Sequence, residues 1–251
     1  MHQPILKGLF GFLLFLSQLT NGLPSVADTP DEALARLLAR LQAIKYMRYD
    51  YYRDVNYKSE QYRNELSGKV FVGFQPDLPL TGFRFQIESD AFRQVYDGKA
   101  YFMLDHTQRT MQVNQQPRQG DLASLSFLVN SPASFRYALA TIVADKAIPK
   151  SLSDTLVANR PYQLICFSLP SKTISNLGTI SSLTTQRLIT YKLLVDQSTG
   201  LPAQVIQTNN ITPDDYVLTR FSNVQVDAVQ PEAGTWSYFT YVGDYRLTSK
   251  K

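Results

Sequence analysis

The chain is poor in the side chains that carry most protein chemistry. Its 251 residues include one cysteine, Cys166, and two histidines, of which only His106 lies beyond the first 27 residues. One thiol excludes an internal disulfide, and a transition-metal site would need several histidine, cysteine or carboxylate ligands held together. No glycine-rich phosphate loop is present. We therefore expect neither a metal nor a cofactor.

The chain also lacks a strong charge of either sign. Its formal net charge is +4, from 25 basic and 21 acidic residues spread along the sequence. A nucleic-acid-binding protein clusters Lys and Arg on one face, and no such cluster is visible. Nucleic acid is therefore not an expected partner.

No apolar run is long enough to cross a bilayer. Lys7 precedes an uncharged run, Gly8–Leu16, about half of the ~20 residues that a spanning helix needs. The small residues that end at Ala27 suit signal peptidase, so residues 1–27 are predicted to be a secretory signal peptide, with cleavage after Gly22 or a short core helix as the alternatives. No cysteine follows the cut to accept a lipid. We expect a soluble periplasmic or secreted protein without an integral membrane anchor.

The mature part begins with a helix and continues with strands. Thr29 can cap a helix in which Pro30 takes the first turn and Glu32 completes a capping box, and this helix is predicted to run to about Tyr46. Alternating patterns then predict strands, and Asp97-Gly98 is a hairpin signal between two of them. The predicted strands are 47–57, 69–75, 82–88, 91–96, 100–105, 110–114, 154–169, 185–196, 201–209 and 214–227.

Residues 120–146 interrupt the strands with two short helical patterns, and Ser131 followed by Pro132 can cap the second. No low-complexity linker divides residues 28–251, so we expect one domain. A curved antiparallel sheet must bury the apolar sides of these helices. The predicted fold is α+β: an open half β-barrel with an N-terminal helix and a mid-chain helical lid.

The turn at residues 196–202 has the pattern D-x-x-T-G-L-P, in which Gly200 can take positive φ and Pro202 fixes the entry to the next strand. This pattern resembles the hairpin of the LolA/LolB-like superfamily, which includes lipoprotein carriers and RseB-type periplasmic sensors. The resemblance implies an open half-barrel whose apolar concavity is covered by helices.

A closer resemblance covers most of the mature chain. It is similar to the non-thioredoxin N-terminal domain of secreted Bacteroidetes-type thioredoxin-family proteins. The chain has no C-x-x-C motif, so disulfide exchange does not carry over, and it looks like a stand-alone accessory domain; a separate thioredoxin-like partner stays open. The matching stretches are Gly82–Phe85, Tyr96–Gly98, Leu125–Phe127, Ile148–Thr155, Leu201–Asn210 and Phe239–Tyr245.

Aromatic stripes mark the candidate ligand-binding surface. On the strand at 100–105, both faces are apolar, which fits a strand that packs against helices on one side and lines a cavity on the other. A filled core would have the same lining, so both interpretations stand. The candidate ligand-binding residues are Phe83, Phe85, Tyr101, Met103, Leu125, Phe127 and Phe135.

Three functions follow from these patterns. The favoured one is a non-enzymatic binding protein for a lipid, a lipidated polypeptide or another elongated apolar ligand. The alternative is an interaction or sensor module with a filled core that recognises another envelope protein. The third is a hydrolase that uses dispersed carboxylates. Carboxylates are the groups considered because His106 is expected to be a solvated turn residue and Cys166 to pack in a strand, so neither is expected to act in nucleophilic catalysis. No catalytic residue is assigned.

Overall fold

The computed structural model describes residues 28–123 and 125–248. The predicted signal peptide, residues 1–27, lies outside the described residues. No helix within the described ranges combines the length and the apolar composition needed to span a bilayer.

Helix α1 forms as its capping residues predict. Thr29 Oγ1 accepts a hydrogen bond from the backbone N–H of Glu32, and Glu32 in turn accepts from the backbone N–H of Thr29. The helix ends at Ala43, three residues before the predicted end, because the chain becomes extended at Ile44. At the start of α3, the Ser131 side chain accepts a hydrogen bond from the backbone N–H of Ser134. The α-helices are α1 (Pro30–Ala43), α2 (Gln119–Ala123) and α3 (Pro132–Ala144), with 3₁₀ turns at Lys58–Glu60, Ser126–Leu128, Ala233–Trp236 and Tyr238–Tyr241.

Strands are the predominant secondary structure of the described chain. They are β1 (Tyr46–Tyr57), β2 (Tyr62–Phe74), β3 (Phe83–Glu88), β4 (Phe92–Tyr96), β5 (Tyr101–Asp105), β6 (Thr110–Asn114), β7 (Lys150–Val157), β8 (Arg160–Pro170), β9 (Lys172–Ile174), β10 (Ile180–Ser182), β11 (Leu188–Asp196), β12 (Leu201–Asn209), β13 (Tyr216–Val226) and β14 (Arg246–Thr248).

Twelve of these strands form one curved, unclosed sheet in the order β14-β6-β5-β4-β3-β2-β1-β13-β12-β11-β8-β7. Two meanders, β1 to β6 and β7 to β13, meet where β1 pairs antiparallel with β13. Neighbouring strands are antiparallel except for β14, which runs parallel to β6. The predicted α+β open half-barrel is confirmed.

Three details of the predicted strands are wrong. The single strand predicted at 154–169 is two strands, because Ala158 and Asn159 take positive φ and turn the chain into a β7–β8 hairpin. The small β9–β10 hairpin and the edge strand β14 were not predicted, since three-residue strands have too few positions to show alternation.

The apolar residues form two cores. The main core lies on the concave face of the sheet, where α1, α3 and the residues between α2 and α3 cover it. The second lies on the opposite face of β2 to β6, beneath residues 229–245, which we call the C-terminal strap. Its centre is Trp236, whose ring contacts Phe71 edge-on at 5.9 Å.

The second core corrects the expectation for the strand at 100–105. Tyr101 packs toward the main core, whereas Phe102 and Leu104 are buried in the second core. Tyr238 and Tyr241 of the strap lie against Phe102, with ring centroids 6.3 and 5.8 Å away. Both faces of β5 are apolar, and other parts of the protein cover each of them. Neither face borders a large cavity.

Candidate functional site

The seven candidate residues do not share one open surface. Five of them are at most 3% exposed and belong to the main core: Phe83, Phe85, Leu125, Phe127 and Phe135. In this structure the space between the sheet and the helices is therefore filled by the protein's own side chains, as the alternative of a filled core predicts. Whether these residues contact a ligand stays a prediction.

The other two candidates lie at the edge of that core. Tyr101 is half-buried and borders a cavity of about 40 Å³ with Gln112, Val113 and Asn114. Burial raises the pKa of Tyr101 to about 12. Met103 is half-buried too, and its thioether accepts a hydrogen bond from Gln94.

Residues 125–131, which we call the lid segment, cross the concave face without adding a strand to it. Leu125, Phe127 and Leu128 point into the main core. The ring of Phe127 lies between Tyr51 and Phe92, with centroid distances of 5.3 and 5.8 Å. The lid segment thus occupies the concave face with one aromatic and two aliphatic side chains.

Polar side chains of the sheet hold the main chain of the lid segment. Tyr51 Oη lies 3.1 Å from Ser126 O and 2.9 Å from Val129 O, and Arg53 donates to Ser126 O over 3.2 Å. Asn176 donates to Leu125 O, which ties the lid segment to the loop between β9 and β10. At the other end of the segment, the Asn130 amide donates to Gln207 of β12 over 3.1 Å.

Beneath the lid segment, several polar groups are buried without a hydrogen-bond partner. They are Tyr49 Oη, Thr219 Oγ1 and Arg53 Nε. Burial raises the pKa of both Tyr49 and Tyr51 above the ordinary tyrosine value; the Ser131 hydroxyl offsets part of the rise at Tyr49, and the Arg53 charge and the Thr219 hydroxyl offset part at Tyr51. These two hydroxyls lie near the tyrosines without satisfying hydrogen-bond geometry for Tyr49 Oη or Thr219 Oγ1. A polar cluster is therefore built into the concave face.

A cleft of about 250 Å³ opens at one end of the concave face. Its walls come from the turn between β1 and β2, including Tyr57 and Glu60, and from residues just after β10, and its floor includes Val217 of β13. Val217 and Thr219 are two residues apart on one strand and share a face. The cleft therefore adjoins the polar cluster under the lid segment.

The cleft also contains two carboxylates, Glu60 and Asp215. Asp215 accepts hydrogen bonds from the backbone N–H of Ser59 at 3.0 Å and from the Ser59 hydroxyl at 2.5 Å. These bonds lower the pKa of Asp215 and keep it ionised, which suits a group that fixes the β1–β2 turn. A general acid needs the opposite shift, so Asp215 does not suit that role.

His106 and Cys166 lie away from the concavity. His106 is not the freely solvated turn residue that was expected: its ring nitrogens lie 2.9 Å from Tyr245 Oη and 3.0 Å from Glu88 Oε1. It thereby joins the end of the C-terminal strap to β3. Cys166 is a half-buried strand residue, as predicted. Among the described residues, no group of three or more His, Cys, Asp or Glu side chains is arranged to hold a metal.

The polar cluster was missed in the sequence, although β1 contains a signal for it. Tyr49, Tyr51 and Val55 alternate on the buried face, and Arg53 falls between them at a position of the same parity. A charged residue at a buried position of a strand is unusual and marks a place where function or a partner is expected. Thr219 gave no comparable signal, because threonine is common in strands.

No family model matches the chain, and no curated protein matches it. Solved structures do. A chain of the Pseudomonas aeruginosa MucA/MucB complex is 14% identical, with 83% of this chain and 60% of that chain covered and a TM-score of 0.42. LprF from Mycobacterium bovis is 7% identical, with 81% and 96% covered and a TM-score of 0.49. A LolA superfamily protein from Nitrosomonas europaea is 9% identical, with 81% and 96% covered and a TM-score of 0.32.

These similarities concern the fold only. At such identities and TM-scores they carry no argument about a ligand, a partner or an activity, and this chain spans about 60% of the length of the MucA/MucB match. The resemblance to LolA/LolB-like proteins predicted from the sequence agrees with the matches. The resemblance to the accessory domain of thioredoxin-family proteins stays a prediction.

Proposed function

We propose that this chain is a non-enzymatic binding protein that receives an elongated apolar ligand, such as an acyl chain or a lipidated polypeptide, on the concave face of its sheet. The ligand replaces the lid segment there. Because residues 1–27 are predicted to be a signal peptide, we expect this binding to occur outside the cytoplasm. The observation that carries the proposal is the attachment of the lid segment: its apolar side chains fill the concave face, and side-chain hydrogen bonds to its carbonyls, rather than a strand ladder, join its main chain to the sheet and to the β9–β10 loop.

This attachment suits a segment that can leave the concave face of the sheet and bind to it again. A strand paired along its length would lose a whole ladder of backbone bonds on opening, whereas the lid segment gives up the bonds made by Tyr51, Arg53, Asn176 and Asn130. Carbonyls released in this way become hydrated, so the net cost is only about 0.5–1.5 kcal/mol for each neutral bond and about 1.5–3 kcal/mol for the bond from Arg53. Opening therefore costs these few bonds and the apolar contacts of Leu125, Phe127 and Leu128.

An apolar ligand offsets that cost. Burying three large apolar side chains contributes roughly 1.5–3 kcal/mol each, and each buried methylene of a ligand contributes about 0.8 kcal/mol. Burial of ten or more methylenes therefore contributes about as much free energy as burial of these three side chains, so a chain of that length can replace them. A short ligand does not, so the proposal requires an elongated one.

The direct test is binding of a neutral fluorescent probe, Nile red, and of long-chain acyl compounds to the wild type and to Phe127→Ala. Phe127→Ala removes apolar contacts between the lid segment and the sheet, so we expect this variant to bind the probe more tightly or faster than the wild type does. Phe239→Ala is the matched control, because Phe239 is 70% exposed on the C-terminal strap. Phe127→Leu serves if the alanine variant does not fold.

Native mass spectrometry of protein purified from its exporting host completes the test. We expect a mass increment of an acyl compound on part of the population. Recovery of ligand-free protein alone, together with no probe binding to the wild type or to Phe127→Ala, overturns the proposal.

The filled main core favours a second candidate, an interaction module that recognises another envelope protein. Its contact surface would be the exposed apolar residues in and next to the C-terminal strap: Val229, Phe239, Val242 and Leu247. Substituting Phe239 and Val242 with serine should abolish recovery of a partner from envelope extracts while leaving acyl binding unchanged. Unchanged recovery removes this surface from consideration.

A further inference from the structure

The polar cluster beneath the lid segment has no role in holding an apolar chain. Tyr51 and Arg53 point from β1 toward the lid segment, and Thr219 faces Arg53 directly across the β1–β13 pairing. Thr219 is fully buried, and its hydroxyl has no hydrogen-bond partner. A buried hydroxyl without a partner costs about 1–3 kcal/mol, so a partner is expected in another state of the protein.

The charge of Arg53 is uncompensated as well. No carboxylate in residues 28–123 or 125–248 forms an ion pair with it, although most of the other ion pairs join neighbouring strands or helix ends. Its Nε is buried and has no partner, and one of its other nitrogens donates to a neutral carbonyl, Ser126 O. A partly buried guanidinium is stabilised far better by an anion than by a carbonyl.

Two carbonyls of the lid segment now occupy the place where such an anion would bind. Ser126 O lies 3.1 Å from Tyr51 Oη and 3.2 Å from Arg53, and Val129 O lies 2.9 Å from the same hydroxyl. When the lid segment opens, both carbonyls leave. The Tyr51 hydroxyl and Arg53 then lose these two partners, and the Thr219 hydroxyl lies beside them on the same face of the sheet.

From this juxtaposition we infer that Tyr51, Arg53 and Thr219 bind the carboxylate headgroup of an amphiphilic ligand whose apolar chain lies where Phe127 now packs. The inference rests on the proposed function and specifies its ligand as an anionic amphiphile. A carboxylate offers two oxygens, which replace the two lid carbonyls, and Arg53 binds it with the parallel donors of a guanidinium. The adjoining cleft, which Val217 lines, opens beside this site on the same face of β13.

The test compares two ligands that differ only in the headgroup, oleate and oleyl alcohol, by displacement of Nile red below the concentration at which oleate aggregates. The wild type should bind oleate about 10- to 100-fold more tightly, the range given by a hydrogen bond to a charged group. Arg53→Gln should abolish this preference while oleyl alcohol still binds. Tyr51→Phe, which removes only a hydroxyl, should reduce the preference without threatening the fold.

Arg220→Gln is the matched control. Arg220 follows Thr219 on the same strand but is exposed on the opposite face, where it donates to Gln204. This variant should keep the full preference for oleate. If Arg53 served only to close the lid segment, Arg53→Gln would raise the affinity for both ligands equally and leave their ratio unchanged.

The outcomes separate the two proposals. Equal affinity of the wild type for oleate and oleyl alcohol, or an unchanged ratio in Arg53→Gln, overturns the headgroup site and leaves the apolar binding function standing. Failure of both ligands to bind the wild type and every variant overturns the binding function, and the headgroup site with it.

Discussion

Gly68 of β2 lies directly beneath the ring of Phe127. A Cβ atom added at Gly68 would come within 2.7 Å of Phe127 Cε1 and within 2.5 Å of the carbonyl oxygen of Glu88. The second contact is with backbone, which cannot rotate away. The close packing of the lid segment on the sheet therefore depends on the absence of a side chain at this one position.

Gly68→Ala should destabilise the protein by about 1–3 kcal/mol, the usual cost of overpacking a core, and should loosen the lid segment. Urea denaturation measures the first effect, and limited proteolysis near residues 125–131 measures the second. Gly120→Ala is the control, because nothing lies within 4 Å of an added Cβ there. Equal stability of the two variants would contradict the packing described above.

Trp236→Ala should cost about 3–5 kcal/mol, as expected for truncation of a buried tryptophan. The ring contacts Phe71, and the Arg84 guanidinium lies 4.4 Å from its centroid. Val229→Ala, at a side chain that is 83% exposed, should change the free energy of unfolding by less than about 0.5 kcal/mol. Denaturant titration of both variants tests the prediction, and a mild effect of Trp236→Ala would mean that the C-terminal strap contributes little to the fold.

The carboxyl group of Asp31 should contribute to the stability of the folded protein in a pH-dependent way. Hydrogen bonds from Lys146 and Lys150 lower the pKa of this carboxyl below its usual value. A depressed folded-state pKa adds stability above the unfolded pKa, about 3.9 for Asp, and that stability is lost as pH falls through the folded pKa. Asp31→Asn should therefore lower the Tm at pH 7, and the difference from the wild type should disappear below about pH 3. A constant difference across this range would contradict the prediction.

Substitution of Arg136 of α3 should destabilise the C-terminal end of α1. Its Nη1 donates to Leu41 O at 2.6 Å and to Ile44 O at 2.8 Å, and its guanidinium lies 4.1 Å from the centroid of the Phe74 ring. Arg136→Met removes the bonds that satisfy the end of α1 and should cost about 1.5–3 kcal/mol. Faster amide hydrogen exchange in the last turn of α1 should accompany the loss.

Arg136→Lys keeps the charge but not the flat fork of donors, so it should recover only part of that stability. Full recovery by lysine would show that charge alone matters at this position. Unchanged exchange in α1 in both variants would contradict the proposed link between α1 and α3.

Local patterns were sufficient for the architecture of this chain. The Thr29 capping box, the Ser131 cap and the alternation along β1 each depend on a few neighbouring residues, and each appears in the structure as predicted. The Asp97-Gly98 turn between β4 and β5 is another example, with Gly98 at positive φ. Such features depend little on the rest of the fold.

Whether the concavity is filled or open could not be predicted from such local patterns. Phe83 and Phe127 are apolar whether they line a groove or fill a core, and which occurs depends on how residues distant in sequence, such as Tyr51 and Phe127, meet. The same limit applies to Phe102, which packs against the C-terminal strap. Only Arg53, a charged residue in register with the buried positions of β1, carried a sign of the site in its local pattern.

The pairing of β1 with β13 has a consequence for how the chain folds. Met47 lies opposite Val226, so the centre of the sheet joins residues from nearly opposite ends of the described chain. Contacts this distant in sequence slow folding, because a long loop must close before they form. During synthesis, β1 can pair with β2 but must keep its other edge open until β13 has emerged. We therefore expect this half-finished sheet, more than the finished protein, to need protection from aggregation.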